Sequence, residues 1–251
     1  MEVQTLNTEE CSLNPLFPFP SSLTVSRRSS YLVSMPFKFP RIYPILDASV
    51  LPANGRAEFL RRLGSSLTSA GVTLLEYRNK GGTDAELLAD AVVLRKAMPA
   101  GKVKLILDDR ANLVETAQFD GVHVDAGDIS PMEARRILGP DRIIGTFGGG
   151  EALLPGILSE PADYFAVGPV YRTTTKQTDK PPIGPEGVRR LREQAGPNAV
   201  LTAAAGITFE TAPAILAAGA TAVAVSAAIF RVADPAAEFR RWLEHLGEGI
   251  S

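Results

Sequence analysis

The chain has 251 residues, 45% hydrophobic and 22% charged, enough to bury the core of one large α/β domain or of two small ones. Its 26 lysines and arginines against 28 acids leave a formal net charge of −2, so no global basic field draws nucleic acid or an anionic membrane, and any anion site must be local. The single cysteine, Cys11, excludes a disulfide framework and a cysteine metal centre, no apolar run reaches the roughly 20 residues that span a bilayer, and residues 1–40 lack the apolar core of a secretory signal, so the expected compartment is the cytoplasm.

Residues 1–38 mix serine, proline and scattered aromatics with no sustained period of 2 or 3.6, which predicts a disordered N-terminal extension ahead of one domain over 39–251. Met35 stands just before the first strand-like run and is the expected start if the preceding segment is a gene-model extension; mass spectrometry of the natural N-terminus decides this. From Arg41 onward, strand-like runs follow at 41–47, 73–79, 103–109, 121–125, 142–147, 163–168, 199–204 and 222–227. Helical patterns lie between them at 56–71, 84–98, 130–139, 185–196 and 208–220, with Asp84 and Ser130 as start signals and Gly71, Gly139, Gly196 and Gly219 as stops.

Eight strands, each followed by a helix, predict a (β/α)₈ TIM barrel. The competing doubly wound sheet lacks its phosphate fingerprint, since "GGG" at 148–150 is not G-x-G-x-x-G. In a barrel the chemistry sits at the C-terminal strand ends, where this chain concentrates its polar residues. Strand two ends in "EYRNK" with Glu76, Arg78 and Lys80 in alternation, strand three in "DDR" with Asp108, Asp109 and Arg110, and strand four in "HVDAGD" with His123, Asp125 and Asp128. Strand six leads into "GPVYRTTTK" with Thr173, Thr175 and Lys176, while strands seven and eight end in "AAAGI" and "VSAAI". Carboxylates in such a place suit Mg²⁺, cations beside them suit phosphate, and small residues expose backbone N–H groups to a second anion. Taken singly, Asp109 and Asp128 read equally as loop carboxylates held by backbone N–H groups, and Arg78 and Lys80 as structural ion pairs with Glu76 or Asp108. His123, between two valines, reads as a packed histidine, and His245 beside Trp242 as surface or packing.

In order along the chain, "EYRNK", "DDR", "GVHVDAGD", "GPVYRTTTK" and "AGI" resemble the thiamine-phosphate synthase family across residues 40–247. The resemblance implies a cytoplasmic barrel transferase. It condenses 4-amino-5-hydroxymethyl-2-methylpyrimidine diphosphate with hydroxyethylthiazole phosphate, the diphosphate leaving first. Carried over by position, it implies Asp109 and Asp128 as Mg²⁺ ligands, with Arg78, Lys80 and Lys176 acting catalytically on the diphosphate. It further implies Glu76, Asp108 and Phe147 facing the substrates, and Thr173, Thr175, Gly206, Ser226 and Ala227 around the thiazole phosphate. Positions that depart from the family pattern include Glu76 for a glutamine, Asp108 for an asparagine, Asp125 and Ala126 for Gly-Gln, Phe147 for a serine, Gly149 for a histidine and Ala205 for the first glycine of Gly-Gly-Ile. Two alternatives follow, a thiazole tautomerase-like isomerase and a catalytically degenerate regulator that binds a phosphorylated ligand. No nucleic-acid or membrane partner is expected, and a homo-oligomer is allowed.

Overall fold

Short runs rich in Val, Ile and Leu, each bounded by polar turns, form the eight strands of the computed structural model, which describes residues 38–173 and 180–247. These are β1 (Ile42–Asp47), β2 (Leu74–Arg78), β3 (Lys104–Asp108), β4 (Gly121–Val124), β5 (Ile143–Gly149), β6 (Tyr164–Val167), β7 (Leu201–Ala204) and β8 (Ala222–Val225). They pair in parallel, in sequence order, and β8 closes on β1. The helices are α1 (Arg56–Ser69), α2 (Asp84–Ala97), α3 (Pro131–Leu138), α4 (Gly184–Ala195), α5 (Ala212–Ala217), the single turn α6 (Ala227–Phe230) and α7 (Pro235–His245). No helix among the described residues is long and apolar enough to cross a membrane.

The structure corrects the expectation of a helix after every strand. Between β3 and β4 there is only a 3₁₀ turn at Ala111–Leu113, and between β5 and β6 only one at Ile157–Ser159. The first connection bends through left-handed backbone at Asp109 and Gln118, and the second carries Gly150, Pro155, Gly156 and Pro161, residues that interrupt a helix. The residue that caps α2 is Thr83, one before the expected Asp84, which is the first residue of the helix. The Thr83 hydroxyl accepts from the Glu86 N–H while the Glu86 carboxylate accepts the Thr83 N–H, a reciprocal capping box. Ser130 caps α3 as expected.

Because successive strand residues point to opposite faces, each strand sends one set outward and one inward. Leu46, Leu75, Leu105, Val122, Ile144, Phe165, Leu201 and Val223 pack outward in the main apolar layer with helix residues such as Leu60, Leu94 and Leu191. Tyr43, Leu74, Ile106, Ile143, Tyr164 and Ala222 fill the interior, with Phe39 among them. Tyr164 fits only because residue 145 is glycine: a Cβ there would lie 1.9 Å from the tyrosine Cζ. Continued upward by twos, the inward phase passes through Glu76 and His123 and emerges as Asp47, Arg78, Asp108, Asp125, Phe147, Gly168, Ala204 and Ser226. This uppermost ring is the mouth of the barrel.

At the opposite face, three arginines clamp loop carbonyls. Arg95 of α2 donates to the carbonyls of Met98, Val103 and Gln118 and pairs with Asp120 at 2.5 Å. Arg135 of α3 binds the carbonyls of Gly139, Pro140 and Arg142 and pairs with Asp163 at 2.9 Å. Arg192 of α4 takes the carbonyls of Gly196, Ala199 and Gly219 and the Thr221 hydroxyl. A guanidinium carries five donors in a fixed fork, so one side chain satisfies carbonyls that the chain reversals leave without partners.

Candidate active site

The mouth divides into a half with charged strand ends, from β1 to β4, and a half whose strand ends are uncharged, from β5 to β8. In the charged half Arg78 pairs with Asp47 across the β1–β2 register, and its Nε lies 3.4 Å from Asp108 Oδ2. Lys80, just past β2, pairs with Asp109 and stands 3.5 Å from Asp108 Oδ2. A cavity of about 630 Å³ opens beside these cations, lined among others by Asp47, Ser49, Arg56, Arg78, Lys80 and Glu86. Asp47 would be raised by its burial, but hydrogen bonds from Ser49 and the Arg78 guanidinium hold it below the usual carboxylate range.

Asp109 turns out of β3 with φ 67°, in the left-handed region, while its N–H is fixed to the His123 carbonyl at 2.8 Å. This strained turn brings its carboxylate along the rim to Asp128. Asp128 is held in turn by the Asp125 N–H at 2.8 Å, and burial followed by the neighbouring Asp109 raises its pKa. The two aspartates from different strands therefore meet at one point. Asp109 Oδ1 and Asp108 Oδ2 are buried without a hydrogen-bond partner. Arg78 and Lys80 already stand 3.4 and 3.5 Å from Asp108 Oδ2, so Asp109 Oδ1 is the oxygen left for a further partner.

Below them Glu76 is 3% exposed inside the barrel. Its carboxylate accepts from the Tyr43 hydroxyl at 2.7 Å, that hydroxyl meets the Tyr164 hydroxyl at 2.7 Å, and Tyr164 meets His123 Nδ1 at 3.1 Å. His123 is thus the packed, hydrogen-bonded residue expected. Burial first, then the charge of Asp108, pushes Glu76 up to about 8. Asp108 is pushed up to about 7 by burial and then by Asp109, with Lys80 and Arg78 opposing. Both acids therefore hold protons into the neutral range.

In the β5–β8 half, Phe147 projects from the end of β5 into a second cavity of about 320 Å³, shared with Asp125, Gly168, Thr173, Lys180 and Ala204. The β6 exit is tied to the β7 exit by Val170 N–H to the Ala204 carbonyl, 2.9 Å, and Tyr171 N–H to the Ala205 carbonyl, 3.0 Å. Ala205 turns the chain with φ 76° into Gly206, and Ser226 opens α6 at Ala227 past β8. Thr175 and Lys176 lie outside the described residues. Every other expected site residue lies at this end of the barrel.

Sequence reasoning missed Asp47, Tyr43, Tyr164 and Lys180. The first three carried a legible signal: in "RIYPILD" and "DYFAVG" the inward phase of the strand falls on Tyr43, Asp47 and Tyr164. Lys180 carried none, because its place over Phe147 arises from a loop. His245 stacks on Phe209 with ring centroids 4.0 Å apart, the packing role expected.

A closed barrel with paired acids and cations on one side of its mouth and small exits on the other defines a (β/α)₈-barrel enzyme for anionic ligands. The family model for thiamine monophosphate synthase matches residues 42–229. Thiamine-phosphate synthase of Koribacter versatilis is 36% identical over 209 residues, covering 83% of this chain and 97% of that one. The Agrobacterium fabrum thiamine-phosphate synthase is 36% identical over 197 residues, covering 77% and 88%. Among solved structures, thiamine phosphate pyrophosphorylase from Pyrococcus furiosus has a TM-score of 0.67 at 25% identity, covering 83% of this chain and 96% of that one. Orotidine 5′-phosphate decarboxylase from Pyrococcus horikoshii, with a TM-score of 0.56 at 13% identity, shares the fold alone. The chain belongs to the thiamine monophosphate synthase family.

Proposed function

We infer that the protein is the transferase of thiamine biosynthesis that joins the aminopyrimidine diphosphate to the thiazole phosphate, giving thiamine phosphate and pyrophosphate. The observation that carries this is the meeting of Arg78, Lys80, Asp109 and Asp128 at one rim, opposite the Thr173 and Ala204 cavity, in a chain of this family.

Arg78 and Lys80 would bind and neutralise the diphosphate, as Lys176 would by its place in the motif. Asp109 and Asp128 would hold Mg²⁺. The donor set fits that ion: the carboxylates converge, and one buried Asp109 oxygen lacks a hydrogen-bond partner. No group of three or more metal-type side chains occurs among the described residues, which suits an ion that takes part of its shell from water and substrate phosphates. When bound, the ion would supply positive charge to the departing diphosphate. Arg78 keeps its charge at any working pH, so its stabilisation of the leaving group needs no proton transfer. On the other side Thr173 and Thr175 would donate hydroxyls to the thiazole phosphate, with the backbone at Gly206, Ser226 and Ala227. Glu76 and Asp108 would face the pyrimidine from below.

The isomerase alternative requires a histidine at the end of β5. Gly149 occupies that place with φ 150°, and a Cβ there would lie 2.2 Å from the Ala152 carbonyl oxygen, so the chain path itself refuses a side chain. Incubation with both substrates, with and without Mg²⁺, tests the synthase. Metal-dependent appearance of thiamine phosphate and pyrophosphate is expected, and thiazole phosphate binding without product would favour a regulator instead.

A further inference from the structure

The product of the proposed reaction differs from the acceptor in charge. As the carbon–oxygen bond to the diphosphate breaks, its electron pair leaves with the diphosphate, and the thiazole nitrogen's lone pair forms the new carbon–nitrogen bond. No proton moves, so the neutral thiazole becomes a quaternary thiazolium. A wall touching this ring meets an uncharged heterocycle before bond formation and a cation after it.

Phe147 offers such a wall. It is the inward residue at the end of β5, and its ring lines the 320 Å³ cavity with Thr173, Gly168, Ala204 and Asp125. The Lys180 ammonium lies 4.5 Å from the ring centroid, so this face attracts a positive charge, and a thiazolium bound there would take the place of that ammonium. A benzene ring attracts a cation through its negative quadrupole face, and more strongly where water is displaced. A small polar side chain at this place would offer no such face. Asp125, on the wall of the same cavity, adds negative charge of the complementary sign.

Resting on the synthase reading, we propose that Phe147 is a specificity-determining residue that senses the charge of the thiazole ring. Its π face holds the thiazolium, formed as the carbon–nitrogen bond closes, more tightly than the neutral thiazole.

The test compares thiamine phosphate, which carries the cation, with hydroxyethylthiazole phosphate, which does not, by titration calorimetry on the wild type, Phe147→Leu and Phe147→Trp. Leucine keeps an apolar side chain and removes the π face, whereas tryptophan strengthens it. Phe147→Leu is expected to weaken thiamine phosphate about tenfold and the neutral ligand less than about twofold, with Phe147→Trp at or above wild-type affinity for the cation. Turnover of Phe147→Leu should fall while its KM for the thiazole phosphate holds. If Phe147→Leu fails to fold, judged by circular dichroism, Phe147→Met replaces it. Equal losses for both ligands, or none, would overturn the proposal. A wild type that makes thiamine phosphate while Phe147→Leu keeps the wild-type ratio of affinities sinks the wall alone; a wild type that makes none sinks the synthase reading.

Discussion

Replacing Glu76 by glutamine is expected to abolish a pH-dependent destabilisation of the barrel. The carboxyl is buried, faces Tyr43 from β1, Arg78 from its own strand, Asp108 from β3 and Asp125 beyond β4, and titrates at about 8 instead of 4.5. Its folded value lies above its unfolded one. The stability it contributes is therefore complete below pH 4.5 and is lost as pH rises towards 8, because the unfolded chain releases a proton that the barrel still holds. The slope is at most about 1.4 kcal/mol per pH unit, and the whole window amounts to at most about 5 kcal/mol. Asp108, raised to about 7, shares the same repulsion, so the two effects do not add; about 2–3 kcal/mol is the expected part that Glu76 carries alone. Glutamine keeps an oxygen for the Tyr43 hydroxyl and cannot ionise. Urea unfolding in the presence of a chelator, at pH 5 and pH 8, should show Glu76→Gln gaining that amount on the wild type as pH rises. A stability difference that is the same at both pH values would refute the reasoning.

Asp109→Ala should cut turnover at least about tenfold and remove the response to Mg²⁺ without unfolding the chain; steady-state assays across metal concentration check it, and Lys176→Ala carries the same expectation for turnover. Arg192→Ala should cost about 2–4 kcal/mol of stability by orphaning three carbonyls at the far face, with KM values unchanged, as thermal unfolding and kinetics would show. Gly145→Ala should cost about 3 kcal/mol or more, because its methyl group must displace the ring of Tyr164; a wild-type melting temperature would refute the packing argument.

The strands were legible because a parallel barrel writes its core twice, as apolar residues facing the helices and as a second, inward set. Seven of the eight predicted runs contain their strand whole, and the fifth, 142–147, stops two residues short of the end of β5 at Gly149. Asp109 and Asp128 were legible as a pair only through the order of the motifs along the chain. Neither periodicity nor composition says that Asp109 leaves β3 in the left-handed region, the turn that brings it to Asp128. The two missing crossover helices were less legible, since Phe119 and Val114 are as apolar as helix residues and are buried without a helix. Pairing partners were the least accessible. Arg78 has its tightest ion pair with Asp47, a residue 31 positions earlier that only strand register brings alongside.

Of the positions expected to depart from the family pattern, Glu76, Asp108, Asp125 and Phe147 lie on the inward phase of their strands. On β2 and β3 the replacements Glu76 and Asp108 add acid beneath Arg78 and Lys80, and both acids take up protons instead of opposing the anion above them. A protonated carboxyl offers one O–H donor beside an acceptor oxygen, where a carboxamide offers two N–H donors beside its own. On β5 the replacements Phe147 and Gly149 act in the opposite sense, removing polarity and a titratable side chain from the half of the mouth with the small exits. In the proposed reaction the β1–β4 half would meet the diphosphate with Arg78 and Lys80, and the β5–β8 half would present Phe147 to the thiazole ring. That division predicts that variants of Glu76 and Asp108 alter the pH dependence of the diphosphate substrate's KM, while variants of Phe147 leave that profile alone.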